Sequence, residues 1–410
     1  MDRPMQGVRV LEVAQFTFVP AAGAVLADWG ADIIKVEHAE MGDAQRGLVR
    51  VLGLDAGREG SSFAPIMEGP NRGKRSIGLA LDKPEARSIL EALVKDSDVF
   101  LTNYLPRVRR KLAIDLEDIR KINPDIIYVS GSGFGSEGPG AEEGAYDATA
   151  FWARGGSAYG VTAEDAEQVT FMPSGAYGDV IGGMTIAGGI AAALYGRNST
   201  GQTSDLDVSL LAVGAWATQF TVNLALMNGG PLPRPKPQKS AVAGNPLTGN
   251  YMTADGRWLQ LSMLQPGRYW AEFCRHIGRI DLIDHEDFNS VEKIMQNSQA
   301  ASTIFADVIR QRTLAEWTEA FTGMKGQWAP VQSPWEVAND EDLIANGRIV
   351  DIIDADGKPQ KLVANPVTFD HSPVTMTRAP QFAEHTDEIL REIGLSDDEL
   401  IELKIAGAVT

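Results

Sequence analysis

Asp179 is the residue whose surroundings most suggest chemistry. It lies in the segment MPSGAYGDVIGGMTIAGGIAAA (residues 172–193), which contains no other charged side chain. Residues 180–194 read as a helix, and its free N–H groups and positive dipole end would stabilise a carboxylate at the N-terminal end. The surrounding small residues would also let a substrate carbonyl come close. Asp179 is therefore the candidate catalytic carboxylate, and the alternative is a simple helix cap.

Composition limits the possible partners. The chain has 410 residues, enough for two or three domains, and 44% hydrophobic with 22% charged residues is typical of a globular protein. The formal net charge of −18 should repel nucleic acid and anionic membrane surfaces. The uncharged stretch 208–233 is interrupted by polar residues and lacks a basic N-terminal flank, so we predict a buried helix or a subunit contact there. We expect neither nucleic acid nor a membrane as a partner.

The cysteine and histidine content argues against disulfides and metal sites. Cys274 is the single cysteine, which fits a reducing compartment and predicts a cytoplasmic protein without a signal peptide. The five histidines show no metal-ligand spacing with one another or with Cys274. We therefore expect no metal and no permanently bound cofactor.

The first part of the chain alternates strands and helices. The patterns predict strands at 8–13, 32–36, 99–102 and 126–130, and helices at 21–28, 84–95 and 116–122. This alternation is typical of a mostly parallel sheet covered on both faces, so the fold class is α/β with a Rossmann-like large domain. After a proline-rich stretch near 231–238, the pattern changes and predicts a smaller α+β domain.

Several common enzyme motifs are absent or lack their context. Gly133, Gly135 and Gly138 match G-x-G-x-x-G after a strand, but Pro139 and Gly140 follow where a dinucleotide site needs a helix. The sequence contains no P-loop motif and no G-x-S-x-G nucleophile elbow. A nicotinamide dehydrogenase, a P-loop enzyme and an α/β serine hydrolase are therefore disfavoured.

Two basic clusters stand out in this acidic chain. One is NRGKRS at 71–76, and the other is NYLPRVRRK at 103–111. The second cluster follows the strand at 99–102, and open α/β sheets bind ligands at the carboxyl ends of their strands. These arginines and lysines would pair well with phosphate oxygens, although a solvated helix face is the common alternative.

Five segments in this order make the chain resemble the class III CoA-transferase (CaiB/BaiF) family, which includes formyl-CoA transferase, carnitine CoA-transferase and α-methylacyl-CoA racemases. The segments are GVRVLEVAQFTFVPAAGAVLADWGADIIKVE at 7–37, NRGKRSIGLAL at 71–81, DVFLTNYLPRVRRKL at 98–112, the Gly178-Asp179 pair, and RAPQFAEHTDEILREIGLSDDELIELKIAGAV at 378–409. The resemblance spans nearly the whole chain.

The resemblance implies a function and a set of site residues. In the family, the aspartate that matches Asp179 attacks an acyl-CoA thioester to give an acyl-aspartyl anhydride and CoA thiolate, and CoA then passes to a carboxylic acid acceptor. The CoA thioester is thus a substrate. Tyr146, Asp147 and Gly178 are expected beside the reacting group. By similarity, the CoA-contact candidates are Gln15, Phe16, Lys35, Arg72, Lys74, Arg75, Asn103, Arg107 and Lys111.

The resemblance also implies an architecture. It predicts an interlocked homodimer in which each chain leaves its large domain and returns to it. The corresponding boundaries are 1–205 for the first part of the large CoA-binding domain, 206–229 for a connecting helix, 230–325 for the small domain, 326–350 for a linker and 351–410 for the return.

Two departures from the family pattern bear on the reaction. Thr17 and His38 replace residues that formyl-CoA transferases have, which argues against the formyl and oxalate pair. Tyr146 stands where racemases have a histidine base, and a tyrosine with a pKa near 10 is a poor base at neutral pH. We favour CoA transfer, with an α-methylacyl-CoA racemase or epimerase and a non-catalytic CoA-binding protein as alternatives. The acyl group, the acceptor acid and the loop that covers the intermediate are not determined; Ala243, Gly244 and Asn245 are the candidate loop.

Overall fold

The computed structural model describes residues 3–51, 53–57, 60–235 and 244–410. The strands in these ranges are β1 Arg9–Val13, β2 Asp32–Glu37, β3 Arg50–Val51, β4 Leu54–Asp55, β5 Arg75–Gly78, β6 Val99–Thr102, β7 Ile127–Ser132, β8 Asp205–Ser209, β9 Thr248–Met252, β10 Trp258–Ser262, β11 Trp328–Pro330, β12 Ile349–Ile353 and β13 Pro359–Val363.

The helices of the same ranges include one long apolar helix and several short ones. They are α1 Phe18–Asp28, α2 Pro65–Asn71, α3 Arg87–Lys95, α4 Pro106–Leu112, α5 Leu116–Ile122, α6 Ser157–Val161, α7 Tyr177–Thr200, α8 Leu210–Ala217, α9 Gln219–Asn228, α10 Pro266–His276, α11 Val291–Gln296, α12 Ser298–Ile309, α13 Leu314–Ala320, α14 Pro334–Ala338, α15 Glu341–Ala345, α16 Thr386–Glu392 and α17 Asp397–Ile405. A π-helical turn, Ala148–Arg154, precedes α6.

The chain divides into two units that differ from the predicted domains at their edges. The large unit combines Met1–Pro235 with Asp342–Thr410, and the small unit is Lys236–Glu341. The predicted linker at 326–350 begins with β11, which pairs with β10 and so belongs to the small unit. The predicted connecting helix at 206–229 contains β8, the last strand of the large sheet, followed by α8 and α9. Both differences arise because short edge strands carry little sequence signal.

A six-stranded parallel sheet forms the centre of the large unit and confirms the predicted fold class. Its strand order is β5-β2-β1-β6-β7-β8. One hydrophobic cluster joins the sheet to α1 and α7, and a second joins it to α3, α5, α16 and α17 on the other face. Burial on both faces explains why the strand sequences are almost continuously apolar.

The strand order reverses at the centre of this sheet. From β1 the chain builds outward through β2 to β5, then returns to place β6 on the other side of β1. The carboxyl ends of β1 and β6 therefore flank a topological switch point, where parallel α/β sheets bind their ligands. This geometry places the segments that follow β1 and β6 at the expected ligand crevice.

Helix α7 packs closely against α1 through glycines. A Cβ added at Gly182 would lie 2.3 Å from the ring of Phe18, and one at Gly183 would lie 2.5 Å from the Cβ of Ala21. By length and composition alone, α7 is apolar enough to cross a membrane, as is the bent pair of α8 and α9. The contact with α1 shows that one face of α7 belongs to the core of the large unit.

The small unit has α+β structure, as predicted. Strands β9, β10 and β11 form an antiparallel sheet in the order β11-β10-β9. Helices α10, α12 and α13 cover it with a core that contains Trp270, Phe273, Phe305 and Trp317. Cys274 is buried in this core, and burial raises its pKa to about 12, so the thiol is kept protonated.

Candidate active site

Asp179 lies in the first turn of α7, as its sequence setting predicts. Ala176 precedes the helix in a left-handed conformation (φ 59°), which turns the chain sharply into α7. Burial, and after it the negative charge of the neighbouring Asp147 carboxylate, raise the pKa of the Asp179 carboxyl to about 7. This corrects the expectation that the helix end keeps Asp179 simply ionised, because burial and a like charge oppose the helix dipole.

Asp147 faces Asp179 from a separate element. It stands at the start of the π-helical turn 148–154, a type of irregularity that often occurs at functional sites. Burial raises the pKa of Asp147, while the backbone N–H groups of Ala148 and Gly178 act in the opposite direction. Its Oδ2 atom is buried without a hydrogen-bond partner among the described residues. Asp147 thus places a like charge beside Asp179, and this charge adds to the effect of burial on the Asp179 carboxyl.

The glycines near Asp179 serve packing rather than substrate access, which corrects a prediction. A Cβ on Gly178 would lie 2.5 Å from the ring of Phe151. The space beside Gly182 is occupied by Phe18, and the space beside Gly183 is occupied by Ala21. Gly178 is buried and its N–H faces Asp147. Gly178 therefore holds the two carboxylates together, and it does not itself open space for a substrate.

Gln15 and Asn103 meet at the switch point. The Gln15 N–H donates to Oδ1 of Asn103 (3.0 Å), and Nδ2 of Asn103 donates back to the Gln15 carbonyl (2.6 Å). Nε2 of Gln15 also donates to the hydroxyl of Tyr104 (3.1 Å). These reciprocal bonds join the chain after β1 to the chain after β6, so two predicted CoA-contact residues lie where a ligand is expected.

Phe16 connects this crevice to the carboxyl pair. Its φ is +63°, an uncommon conformation for a residue with a bulky side chain. Its ring meets the ring of Tyr146 edge to face, with centroids 5.4 Å apart. Tyr146 is 60% exposed and directly precedes Asp147. The predicted residues Phe16, Tyr146, Asp147 and Asp179 therefore lie in one region of the large unit, with Tyr146 exposed and Asp147 buried.

Lys35 and Lys74 are not free to contact CoA, which corrects two predicted assignments. Both side chains are completely buried, and Glu12 lies between them at 3.3 Å from Lys35 Nζ and 2.7 Å from Lys74 Nζ. Burial lowers the pKa of Lys35, but Asp43, Glu12 and Glu37 more than offset this, so the pKa is raised. Burial, helped by the positive charge of Lys35, lowers the pKa of Lys74 to about 7 despite the opposing effect of Glu12.

Arg72 and Arg75 are also engaged inside the protein. The Arg72 guanidinium pairs with Asp28 (2.7 Å), and its side chain is only 9% exposed. Arg75 pairs with Asp32 (2.7 Å) and Glu392 (2.7 Å) at the start of β5, at the amino edge of the sheet. Arg72 thus pairs with a buried carboxylate and Arg75 with partly exposed ones at the amino edge of the sheet, and the sequence could not show this because these acids are distant along the chain.

The second basic cluster, at 103–111, is better placed than the first to contact a ligand at the carboxyl edge of the sheet. Helix α4 follows β6 at the carboxyl edge of the sheet, and Arg107 and Lys111 are exposed on it. Arg109 and Arg110 pair with Asp115 (3.2 Å) and Glu142 (2.8 Å). Arg107 and Lys111 form no close ion pair with a carboxylate of the described residues, and the charge of Arg107 acts on Glu142 at longer range, so these two predicted side chains are the cations of α4 best placed for an anionic ligand.

The sequence reasoning missed three residues that hold this region together: Glu12, Asp43 and Gln45. Oδ1 of Asp43 accepts the N–H groups of Phe16 (3.1 Å) and Gln45 (2.9 Å), and Thr17 donates to the side chain of Gln45 (2.8 Å). One signal was available, because Glu12 and Lys35 are opposite charges inside two apolar strands and lie in register. Such a pair predicts a buried ion pair.

Other possible sites receive no support within the described ranges. No group of three or more His, Cys, Asp and Glu side chains there is arranged to hold a metal ion. The segment after Gly133 forms bends and turns rather than a helix, as expected from its mismatch with a dinucleotide fingerprint. In the candidate loop, Ala243 lies outside the described residues, while Nδ2 of Asn245 donates to the carbonyl of Met263 (3.0 Å).

Comparisons with known proteins agree over the full chain. The profile of CoA-transferase family III matches residues 5–386. An (R)-2-hydroxy-4-methylpentanoate CoA-transferase of Clostridioides difficile is 27% identical over 98% of both chains. A cinnamoyl-CoA:phenyllactate CoA-transferase of Clostridium sporogenes is 28% identical over 97% of this chain and 95% of its own. A crystal structure of a CAIB/BAIF family protein from Brucella suis superposes with a TM-score of 0.79 at 25% identity, covering 96% of this chain and 100% of that one.

The sheet, the switch point and these comparisons lead to one assignment. The family match covers well over half of the chain, and the curated relatives are enzymes that transfer CoA between acids. The chain is therefore an enzyme that uses CoA thioesters as substrates, and it belongs to CoA-transferase family III.

Proposed function

We propose that this protein transfers CoA from an acyl-CoA donor to a carboxylic acid acceptor through an anhydride formed on Asp179. The observation that carries the proposal is the position of Asp179 beside Asp147, with the Phe16 and Tyr146 rings leading to the switch point. This arrangement offers one reactive carboxylate next to a crevice suited to a nucleotide-containing ligand.

The chemistry follows from the two neighbouring carboxyls. A carboxylate oxygen of Asp179 attacks the thioester carbonyl carbon, the C–S bond breaks, and CoA leaves as a thiolate that carries the electron pair. A pKa of about 7 leaves Asp179 substantially ionised at neutral pH, and it makes the carboxylate more basic than an ordinary aspartate. The acceptor carboxylate then attacks the Asp179 carbonyl carbon of the anhydride, the bond from that carbon to the donor carboxylate oxygen breaks, and the donor acid leaves as its carboxylate. CoA thiolate next attacks the acyl carbon of the acceptor, and the bond from that carbon to the Asp179 oxygen breaks, which releases the new thioester and regenerates the Asp179 carboxylate.

The remaining predicted contacts divide between the two ends of CoA. Gln15, Phe16 and Asn103 surround the switch point and would contact the part of the ligand near the thioester. Arg107 and Lys111 on α4 would bind phosphate oxygens, because both cations are exposed and free of ion pairs with the described carboxylates. Binding energy from the phosphates would then help to position the thioester against Asp179.

We also propose that the functional form is a homodimer. Exposed apolar side chains accumulate on α7, α8 and α9: Tyr195, Trp216, Phe220, Leu226 and Met227 are each exposed by at least 71%. Apolar surface of this extent in a chain usually marks an interface. A second copy of the chain would cover it in the interlocked arrangement that the family resemblance implies.

Chemical trapping tests the proposed reaction. The enzyme is incubated with an acyl-CoA and then with hydroxylamine, and peptides are analysed by mass spectrometry. We expect a hydroxamate on Asp179, and we expect Asp179→Ala to lose CoA exchange while it still binds CoA. The 2-hydroxy and aryl acids named for the two relatives are sensible first substrates in this screen.

A second experiment separates transfer from racemisation. A family racemase would exchange the α-proton of the acyl group with solvent without any acceptor acid. Deuterium at the α-carbon in D2O, together with no hydroxamate on Asp179, would contradict the transferase proposal. CoA binding without exchange for any acid tested would instead indicate a non-catalytic protein.

A further inference from the structure

The turn after β1 is held by a buried carboxylate that does not reach the surface. Asp43 is 1% exposed, and its Oδ1 accepts the Phe16 N–H at 3.1 Å and the Gln45 N–H at 2.9 Å. Its other oxygen lies 2.9 Å from Nζ of Lys35, which is itself completely buried. The Asp43 N–H donates to Glu37 (2.9 Å), so the acid is fixed on all sides.

The conformation that Asp43 holds is costly by itself. Phe16 has φ of +63°, and a bulky residue adopts this region only where its surroundings compensate. The bonds that the turn receives come from neighbouring parts of the chain: Asp43 binds Phe16, Asn103 binds Gln15, and Gln45 binds Thr17. The backbone conformation of this turn is therefore stabilised by side chains from other parts of the chain and not by the conformational preferences of its own residues.

The position of the Phe16 ring matters for the carboxyl pair. In this backbone conformation the ring meets Tyr146 edge to face, with centroids 5.4 Å apart. Tyr146 is followed directly by Asp147, whose carboxyl acts on Asp179. Asp43 is thus connected to Asp179 through Phe16, Tyr146 and Asp147, although Asp43 does not contact Asp179 directly.

We propose that Asp43 is a positioning residue for catalysis: it holds Phe16 in the left-handed conformation that packs its ring on Tyr146 and so fixes Asp147 opposite Asp179. This inference rests on the proposed function of Asp179. Lys35 supports it by anchoring Asp43, which gives the buried lysine a role in place of CoA binding. Small displacements of reacting groups carry large costs in rate, so the effect should appear in kcat.

The test uses Asp43→Asn, Phe16→Gly and the double variant. Asp43→Asn should lower kcat for CoA exchange by about 10- to 100-fold and change the KM for acyl-CoA by less than about 3-fold. Phe16→Gly keeps the left-handed turn but removes the ring, so it should lower kcat similarly. Because Asp43 acts through Phe16, the double variant should be no slower than Phe16→Gly within about 3-fold.

Controls distinguish positioning from simple stability. Glu68→Gln changes another buried carboxylate of the large unit, one that accepts the Ala379 N–H at 2.6 Å, and should keep the wild-type kcat. If Asp43→Asn does not fold, the comparison of Phe16→Gly with Glu68→Gln still decides whether loss of the ring lowers kcat. If the losses in kcat of Asp43→Asn and Phe16→Gly multiply in the double variant, the two residues act independently and the proposal is wrong.

Hydrogen exchange supplies a readout that does not depend on the reaction. Amides of residues 14–17 and 144–150 should exchange faster in Asp43→Asn than in wild type, with little change in Glu68→Gln. Unchanged exchange at 144–150 would contradict the positioning role. If the wild-type enzyme transferred no CoA to any acid, the proposed function would fail, yet this measurement would still judge the link between Asp43 and the Tyr146 segment.

Discussion

At the scale of single residues, the two carboxyls of the site are the most informative feature. The sequence indicated Asp179 because it is alone among small and apolar residues, and Asp147 entered only through family resemblance. The electrostatic coupling of the two acids could not be predicted, since it depends on how the π-helical turn at 148–154 meets the start of α7. Local sequence identifies a reactive residue more readily than the neighbouring group that shifts its pKa.

The coupling predicts the pH dependence of the reaction. Asp179 must be ionised to attack, so kcat/KM for acyl-CoA should rise with pH and level off above about 7. Asp147→Asn removes a negative charge that raises the pKa of Asp179, so the rising limb should move to lower pH. A pH–rate profile of both enzymes checks this, and a shift to higher pH would show that Asp147 does not act as a like charge.

The same carboxyl should reduce stability at neutral pH. A pKa of about 7, raised from 3.8, means that the folded protein favours protonated Asp179, and this stabilisation is lost as pH rises through 7. Asp179→Asn should therefore have a higher free energy of unfolding than wild type, and the difference should grow from pH 5 to pH 8. The upper limit of this difference is about 4 kcal/mol. The measured difference should be smaller than this limit because the Asp179 side chain is partly exposed. Thermal unfolding at both pH values measures it, and an equal difference at both would contradict the shifted pKa.

At the scale of elements, the sequence predicted most of what positions the site. The strands at β1, β2, β6 and β7 and helices α1, α3 and α5 are confirmed, because alternation of apolar runs with amphipathic segments is a strong signal. The assignment of Lys35 and Lys74 to CoA was wrong for a physical reason: a lysine in an apolar strand can be neutralised by acids that are close only in space. Burial and pairing are properties of the packed sheet.

The contact between α7 and α1 makes a prediction about glycines. Gly183→Ala would place a Cβ 2.5 Å from Ala21 and 3.0 Å from the Ala22 nitrogen, so we expect a loss of about 1–3 kcal/mol. Gly196→Ala on the same helix meets nothing within 4 Å and should gain about 0.5–1 kcal/mol from helix propensity. Thermal unfolding of both variants gives the comparison, and equal effects would show that α1 can move away.

At the scale of the whole molecule, the family and the α/β class were predictable, whereas the edges of the units were not. Residues 326–341 lack the length and alternation of a clear strand, yet β11 completes the sheet of the small unit. The apolar residues on α8 and α9 were assigned from sequence to a buried helix or a subunit contact. Leu210 and Val213 are buried in the single chain, whereas Trp216, Phe220, Leu226 and Met227 are exposed. This exposure favours the second of those two possibilities.

Self-association can be measured directly. Analytical ultracentrifugation should give the mass of two chains, and Phe220→Glu combined with Leu226→Glu should give one, because charges would be buried in an apolar interface. Ile405→Glu is the matched control: Ile405 is 82% exposed on α17, and its replacement should leave the mass unchanged. A monomeric wild-type protein would remove the basis for a homodimer.

The division of the large unit between Met1–Pro235 and Asp342–Thr410 has a consequence for biosynthesis. During translation, residues 3–235 emerge from the ribosome first, but α16 and α17, which complete one face of their sheet, are made last. The small unit is contiguous, so it can finish folding while the earlier segment still exposes apolar strands. The nascent chain should therefore depend on chaperones until Asp342–Thr410 has been synthesised.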